Sequence, residues 1–288
     1  MEHALTARTR LVLPAPAKLN LFLHVTGRRR DGYHELESVF VPITLADTVT
    51  LTVREDGQIR LIDPPAGLTE ENDLACRAAR SLQLASRATN GVDIRLNKAI
   101  PQGGGLGGGS SDAATTLLGL NRLWSLGQSR HQLREVAATL GADVPFFIFG
   151  QPAFASGVGE RLLAVSLPSS HYVVAFPGLG VATENVFADP DLVRNTPSSV
   201  SGVFEENYGH NNLQPVAERI QPRISGLCDA FSRAGVKPRM SGSGACVFAS
   251  SRDAPSAQAL ARLLRGANWQ CWVVQSMARH PLLGFARG

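Results

Sequence analysis

The order of elements along the chain predicts an α+β protein of two domains. Three observations carry that expectation. The 288 residues exceed the usual size of one domain. A strand, a glycine-rich loop and a helix follow one another across residues 92–124 in the first half. Beyond residue 165 the pattern resets into strand, helix, strand, helix, strand, which suits a small α+β sandwich. The boundary falls near 163–168, giving units 1–165 and 166–288.

Each element has a local reason. Residues 11–25 (LVLPAPAKLNLFLHV) alternate apolar and polar after Pro14 and Pro16 and read as a strand. Residues 28–33 form a turn punctuated by Asp31-Gly32. Strands are expected at 39–53 and 59–62, with Asp56-Gly57 as a hairpin signal between them. Asn72-Asp73 opens a helix, LACRAARSLQLAS, with apolar residues at helical spacing. A strand at 92–96 feeds the glycine loop, and Ser110 or Ser111 is placed to cap a helix over 112–124. A further helix at 130–140 closes at Gly141, and 144–149 reads as a short buried strand. In the second half come a strand at 172–176, a polar stretch at 188–212 read as a long loop or short helices, and a helix over 216–234. The segment PRMSGSGACVFA (238–249), a helix at 256–266 and a strand at 271–276 complete it.

Composition excludes several classes. With 44% hydrophobic residues the chain can bury a full core. No apolar run approaches the ~18–20 residues of a membrane span, so no membrane partner is expected. The first twenty residues imitate a signal peptide, but Pro14 and Pro16 break the apolar run, which reads instead as the first strand of a soluble protein. Cys76, Cys228, Cys246 and Cys271 are widely spaced with no C-x-x-C pair, as in a reduced, cytoplasmic chain without disulfide or zinc. The net charge of +4 suits anionic small substrates. No basic run exceeds Arg28-Arg29-Arg30, so nucleic acid is the weaker partner. Of 28 basic residues only Lys18, Lys98 and Lys237 are lysine, and a retained lysine marks a place for a compact point charge.

The densest chemistry lies at 101–111, PQGGGLGGGSS, where six of eleven residues are glycine. Pro101, Gly103, Gly104, Gly105, Leu106, Gly107, Gly108, Gly109, Ser110 and Ser111 read as a phosphate cradle. Glycines let backbone N–H groups close on a ligand, and the following helix turns its unpaired N–H donors toward the same anion. A dinucleotide-binding reading fails because a second helix follows, where a strand ending in an acidic residue is required. A P-loop fails because no Lys-Ser/Thr follows the last glycine.

Three stretches belong together: PAKLN with DGYH downstream, the glycine loop, and Ser241-Gly242-Ser243-Gly244 before an apolar strand. Together with GADVPFF and SGVGE, they resemble the GHMP small-molecule kinases over roughly residues 13–250. The resemblance implies an N-terminal domain like ribosomal protein S5 domain 2, a ferredoxin-like C-terminal domain, and a site between them. It also implies ATP and Mg2+ as cofactors, with the metal arriving on the nucleotide and touching Ser110 or Ser111. DGYH points to one acceptor, a cytidine diphosphate-linked methylerythritol, phosphorylated on its 2-hydroxyl. By the same resemblance Asp143 receives or orients the acceptor's proton, and Lys18 is its electrostatic partner. A carboxylate beside Val144-Pro145-Phe146-Phe147 is partly desolvated, and a nearby lysine offsets this. Tyr33 stacks on the base, His34 bonds its edge, and Asn20 meets the erythritol hydroxyls. Thr183 and Phe187 close the pocket, and Lys98 meets the nucleotide or stands as a solvated lysine at the strand end. His24 reads as a core or pocket-wall residue. The alternatives are a kinase for another small alcohol, such as homoserine or mevalonate, and a non-catalytic binder of nucleotide or RNA. No heptad or apolar patch in the sequence declares an oligomeric state.

Overall fold

Two long antiparallel strands frame the molecule. β1 (Arg10–Arg28) and β2 (His34–Arg54) pair along nearly their whole length, joined by a turn at 29–33. They are seen in a computed structural model that describes residues 9–198 and 208–288. In the second half of β2 the alternation is strict, and Val41, Ile43, Leu45, Val49 and Leu51 all point into the protein. β3 (Ile59–Leu61), β4 (Gly91–Asn97), β5 (Ala153–Gly157) and β6 (Arg161–Ala164) complete a sheet of order β3-β4-β2-β5-β6. Of the strands in the described residues β1 pairs with β2 alone, so Pro14 and Pro16 lie on an edge strand, where a missing N–H is tolerated.

Four helices cover this sheet: α1 (Leu74–Ser86), α2 (Gly108–Leu123), α3 (Arg130–Ala138) and α4 (Val144–Phe149). Asp73 caps α1 by accepting from the Cys76 N–H at 2.9 Å. α2 is the central helix, buried on every side from Ser111 to Asn121. The second sheet holds β7 (His171–Phe176), β8 (Arg239–Met240), β9 (Val247–Ser251) and β10 (Gln270–Gln275), in the order β10-β7-β9-β8 and wholly antiparallel. Counted within this half the order is 4-1-3-2, the ferredoxin-like arrangement expected. α5 (Thr183–Ala188), α6 (Gln214–Ile220), α7 (Pro222–Arg233) and α8 (Ala254–Gly266) make its connections. A third apolar cluster, including Leu19, Phe22, Val41, Tyr172 and Phe248, joins the two sheets.

The free edge of β1 is where the two halves are stitched. Its backbone N–H groups at Lys18 and Leu23 donate to Leu106 O and His210 O, both at 2.9 Å. The Asn20 N–H donates to Ser241 Oγ at 3.2 Å, and the Val25 N–H to Asn212 Oδ1 at 2.8 Å. An edge strand with unpaired groups must find partners, and here it finds them in the glycine loop and the third motif.

Four expectations are corrected. Residues 144–149 form a helix, not a strand: Pro145 sits in its first turn and Gly150, at φ 75°, ends it. That is the Pro-inside, Gly-outside pattern of a helix. The helix expected over 216–234 is two, because Pro222 ends α6 and starts α7 after Gln221. Neither Ser110 nor Ser111 caps α2; Gly107 does, at φ 71°, and Ser111 already donates its N–H to Gly107 O at 2.8 Å. Finally, Asp56-Gly57 turns the chain but makes no hairpin. β3 passes β2 by and pairs with β4 in parallel, α1 supplying the crossover.

Candidate active site

The glycine loop is anchored through its carbonyls. Those of Gly103 and Gly104 accept from the N–H groups of Ala245 and Cys246, at 2.9 and 3.0 Å. The Gly105 carbonyl accepts from Ser241 Oγ at 3.1 Å, and that of Leu106 from the Lys18 N–H. What the loop retains for a ligand is its N–H side, continued by the first turn of α2, whose N–H groups lack intrahelical acceptors. Gly105 must be glycine: its φ is +71°, and a Cβ would lie 2.2 Å from Ser241 O.

A cavity of about 800 Å³ opens beside the loop, within the range of small-molecule sites. Lys18, Asn20, Tyr33, His34, Gly103, Gly105, Gly107, Ser110, Asp143, Thr183 and Phe187 line it. A smaller one of about 100 Å³ is lined by Lys98, Pro101, Gly104, Leu106, Gly108 and Gly109 with the rest of the loop. Ser111 lines neither; it is fully buried, and its Oγ has no hydrogen-bond partner.

At the wall of the large cavity Lys18 Nζ lies 3.3 Å from Asp143 Oδ2. The lysine side chain is 4% exposed and the aspartate 30%, so the pair is rooted in the protein and open on the carboxylate side. Asp143 stands at the N-cap of α4 but makes no capping bond; its carboxylate faces the lysine instead. Lys18 and Asn20 alternate onto one face of β1, bracketed by irregularities in the β1–β2 register. Lys18 Nζ donates to Asn20 Oδ1, and Asn20 Nδ2 donates to Ser38 Oγ at 2.8 Å. The ammonium also lies 4.6 Å from the Phe40 ring centroid. Asn20 is thereby fixed on three sides, through its backbone and both amide atoms.

Tyr33, His34 and Phe187 gather at the other end. Tyr33 is 66% exposed, a ring presented rather than packed. His34 is buried and stacks on Phe187, with centroids 5.0 Å apart and planes at 29°. Burial, then the charges of Arg194 and Arg28, hold the His34 pKa below its ordinary value. Thr183 Oγ1 meets Ser243 Oγ at 2.7 Å, so α5 is tied to the third motif.

Lys98 has a different setting. Its ammonium contacts Asp47 Oδ2 and Asp112 Oδ2, and both carboxylates are buried. Burial pushes the Asp112 pKa up to about 7; Lys98 opposes this and Asp47 adds to it. Burial pulls the Lys98 ammonium the other way, but the charges of Asp112 and Asp47 outweigh it and raise its pKa. Asp47 Oδ1 also accepts from the N–H groups of Ala99 and Ile100, at 2.6 and 2.8 Å. The three residues therefore brace the start of the glycine loop.

Several of these groups were not singled out in the sequence. Asp47 had a signal, because it occupies an inward position in the alternation Val41, Ile43, Leu45, Asp47, Val49, Leu51. Asp112 follows the two serines and is buried beneath the loop. Ser38 and Arg194 carried no pattern at all.

A glycine-rich loop at a helix start, a lysine–carboxylate pair and a Gly/Ser third motif, set between these two sheets, are the features of a small-molecule kinase of the GHMP type. The family models for the GHMP kinases N terminal domain and the GHMP kinases C terminal match residues 73–151 and 191–268. The chain belongs to the GHMP kinase family. It is 53% identical over 249 residues to 4-diphosphocytidyl-2-C-methyl-D-erythritol kinase of Bordetella parapertussis, covering 85% of this chain and 83% of that one. A crystal structure of 4-(cytidine 5'-diphospho)-2C-methyl-D-erythritol kinase superposes with a TM-score of 0.79 at 38% identity, covering 92% of this chain and 99% of the other. Homoserine kinase from Cytophaga hutchinsonii superposes at 0.71 with 15% identity, covering 97% and 98%, a likeness of fold.

Proposed function

We propose that this chain transfers the γ-phosphoryl group of ATP to the 2-hydroxyl of 4-diphosphocytidyl-2-C-methyl-D-erythritol. The observation that carries the reading is the Lys18–Asp143 pair, 3.3 Å apart, on the wall of a cavity that also holds the glycine loop, Tyr33 and His34. Phosphoryl transfer asks a protein mainly to position two oxygens in line and neutralise charge. Asp143 accepts or orients the proton of the attacking hydroxyl. Lys18, 3.3 Å from that carboxylate, opposes the negative charge building on the acceptor oxygen. Asn20, already fixed by Ser38 and Ser241, is rigid enough to orient the polyol hydroxyls. Tyr33 offers a stacking face to the base, His34 a polar edge, and Thr183 and Phe187 the far wall.

Residues 101–110 frame the nucleotide phosphates, and Lys98, held by Asp47 and Asp112, braces the start of that loop beside them. Gly105 lets the loop pack directly on the third motif, since a Cβ there would lie 2.2 Å from Ser241 O and 2.9 Å from Gly244 O. When bound, Mg2+ neutralises phosphate charge. The metal would arrive on the nucleotide, and Ser110 is the hydroxyl of the loop that lines the cavity where it could touch it. The proposed division at 165/166 puts loop and catalytic pair in one unit, and Thr183, Phe187 and the third motif in the other. A cytoplasmic setting accords with four free, buried cysteines. Among the described residues no helix is long and apolar enough to cross a membrane.

The test is ADP release from ATP and Mg2+ with the cytidylyl acceptor, beside mevalonate and homoserine. Turnover with the cytidylyl compound alone is expected. Turnover only with another alcohol would keep the kinase and discard the base-binding roles of Tyr33 and His34. Nucleotide binding without any turnover would favour a non-catalytic binder.

A further inference from the structure

The base-binding end of the cavity is organised by one side chain that lines no part of it. Arg194 lies in the polar stretch after α5, and its guanidinium has five N–H donors. Nη2 donates to Phe187 O at 3.1 Å and Asp189 O at 2.6 Å. Nη1 donates to Leu192 O at 3.0 Å and, more weakly, to Pro190 O at 3.5 Å. The fifth donor, Nε–H, points at His34 Nε2 at 3.0 Å. The segment 187–192 is thus wrapped around the guanidinium, and the same group reaches β2 to hold the ring that Phe187 stacks on.

Guanidinium never gives up its proton, so it can only donate. A neutral imidazole has one N–H and one lone pair. With the lone pair at Nε2 engaged, the proton must sit on Nδ1, and adding a second proton would break the bond to Arg194. We infer that Arg194 is a positioning residue for specificity: it fixes His34 as the neutral Nδ1–H tautomer, stacked on Phe187, so that His34 offers a ligand a hydrogen-bond donor. The matching chemistry is a base edge that presents an acceptor, a ring nitrogen or a carbonyl oxygen, as cytosine does at N3 and O2. This deepens the proposed function and rests on it for the identity of the base. The tautomer itself rests only on the Arg194 geometry.

Long-range 15N–1H correlation spectra of the unliganded protein read the tautomer directly, with His34 assigned by the signals lost in His34→Gln. Protonated Nδ1 and bare Nε2 are expected; a His34 ring protonated at Nε2 overturns the inference. Kinetics of Arg194→Lys give the second readout. Lysine keeps the charge but loses the planar fork, so the KM for the cytidylyl acceptor should rise about tenfold, the scale of one good hydrogen bond, with the KM for ATP unchanged. An unchanged acceptor KM would overturn the role in specificity, as would a rise confined to ATP. Wild-type protein that does not turn over the cytidylyl acceptor defeats the proposed function instead, and the spectra still decide the tautomer. If Arg194→Lys does not fold, the wild-type spectra decide alone.

Discussion

Lys18 and Lys98 flank the same glycine loop, and the difference between them separates chemistry from support. Lys18 is buried, Lys98 is half-buried, and both meet carboxylates. Lys18 faces one aspartate that is 30% exposed and shares the large cavity with it. Lys98 is shared by two aspartates that are nearly or fully buried, one of which also holds the backbone of the loop. A lysine whose partner remains open has charge left to act on a ligand. A lysine balanced twice in a dry setting holds structure together, because each group left alone there would cost several kcal/mol.

Substitutions can break that contrast. Asp143→Asn keeps the shape and removes the proton acceptor, so kcat should fall by about 10²–10⁴ with the KM for ATP little changed. Normal turnover would remove Asp143 from the chemistry. Lys98→Met strands Asp47 and Asp112 and should cost about 3–5 kcal/mol in denaturant unfolding. Lys18→Met should lose turnover with a much smaller loss of stability, since Asp143 can be hydrated. Equal stability losses in the two variants would erase the distinction. Tyr33→Ala tests the far end of the cavity: the KM for the cytidylyl acceptor should rise about tenfold, as for one lost base–aromatic stack, and the KM for ATP should hold.

The smallest effect concerns pH. The Asp112 pKa of about 7 in the fold exceeds the ~3.9 of an unfolded chain, so folding takes up a proton in that window. The stability contributed is fully present below the unfolded value and is lost as pH rises through about 7. Asp112→Asn carries no such proton. Melting temperatures of wild type and variant should therefore diverge between about pH 5 and pH 8, moving in the variant's favour. A constant gap would show that Asp112 does not hold a proton in the fold.

What could be read beforehand follows the physics of each element. β1, α1, β4 and the glycine loop were legible because local signals agreed: alternation, an Asp cap, a strand feeding glycines. Residues 144–149 form a helix where a strand is expected, because a short apolar run fits a buried strand or a buried helix equally and Pro145 and Gly150 decide for the helix. The parallel pairing of β3 was out of reach, since partner choice depends on where α1 carries the chain. In the site, Lys18 and Asp143 follow from motif resemblance and the loop from its own glycines, and the structure places all three on one cavity. Arg194 had no signature, because its five bonds go to backbone carbonyls and a ring that only the folded loop brings near. Asp47 was readable in principle as a charge in an apolar alternation.

The stitching of β1 also sets an order of events during synthesis. Asn20 leaves the ribosome 221 residues before Ser241, whose hydroxyl takes its backbone N–H. Leu23 likewise waits for His210, and Val25 for Asn212. The strand that carries Lys18 therefore spends most of translation with an unfilled edge, a template for wrong pairing. Pro14 and Pro16 blunt one end of it, and the long pairing with β2 forms early and covers the other side. The nascent chain can hold its first sheet well before it can hold a substrate, and catalytic competence arrives only when the third glycine motif emerges.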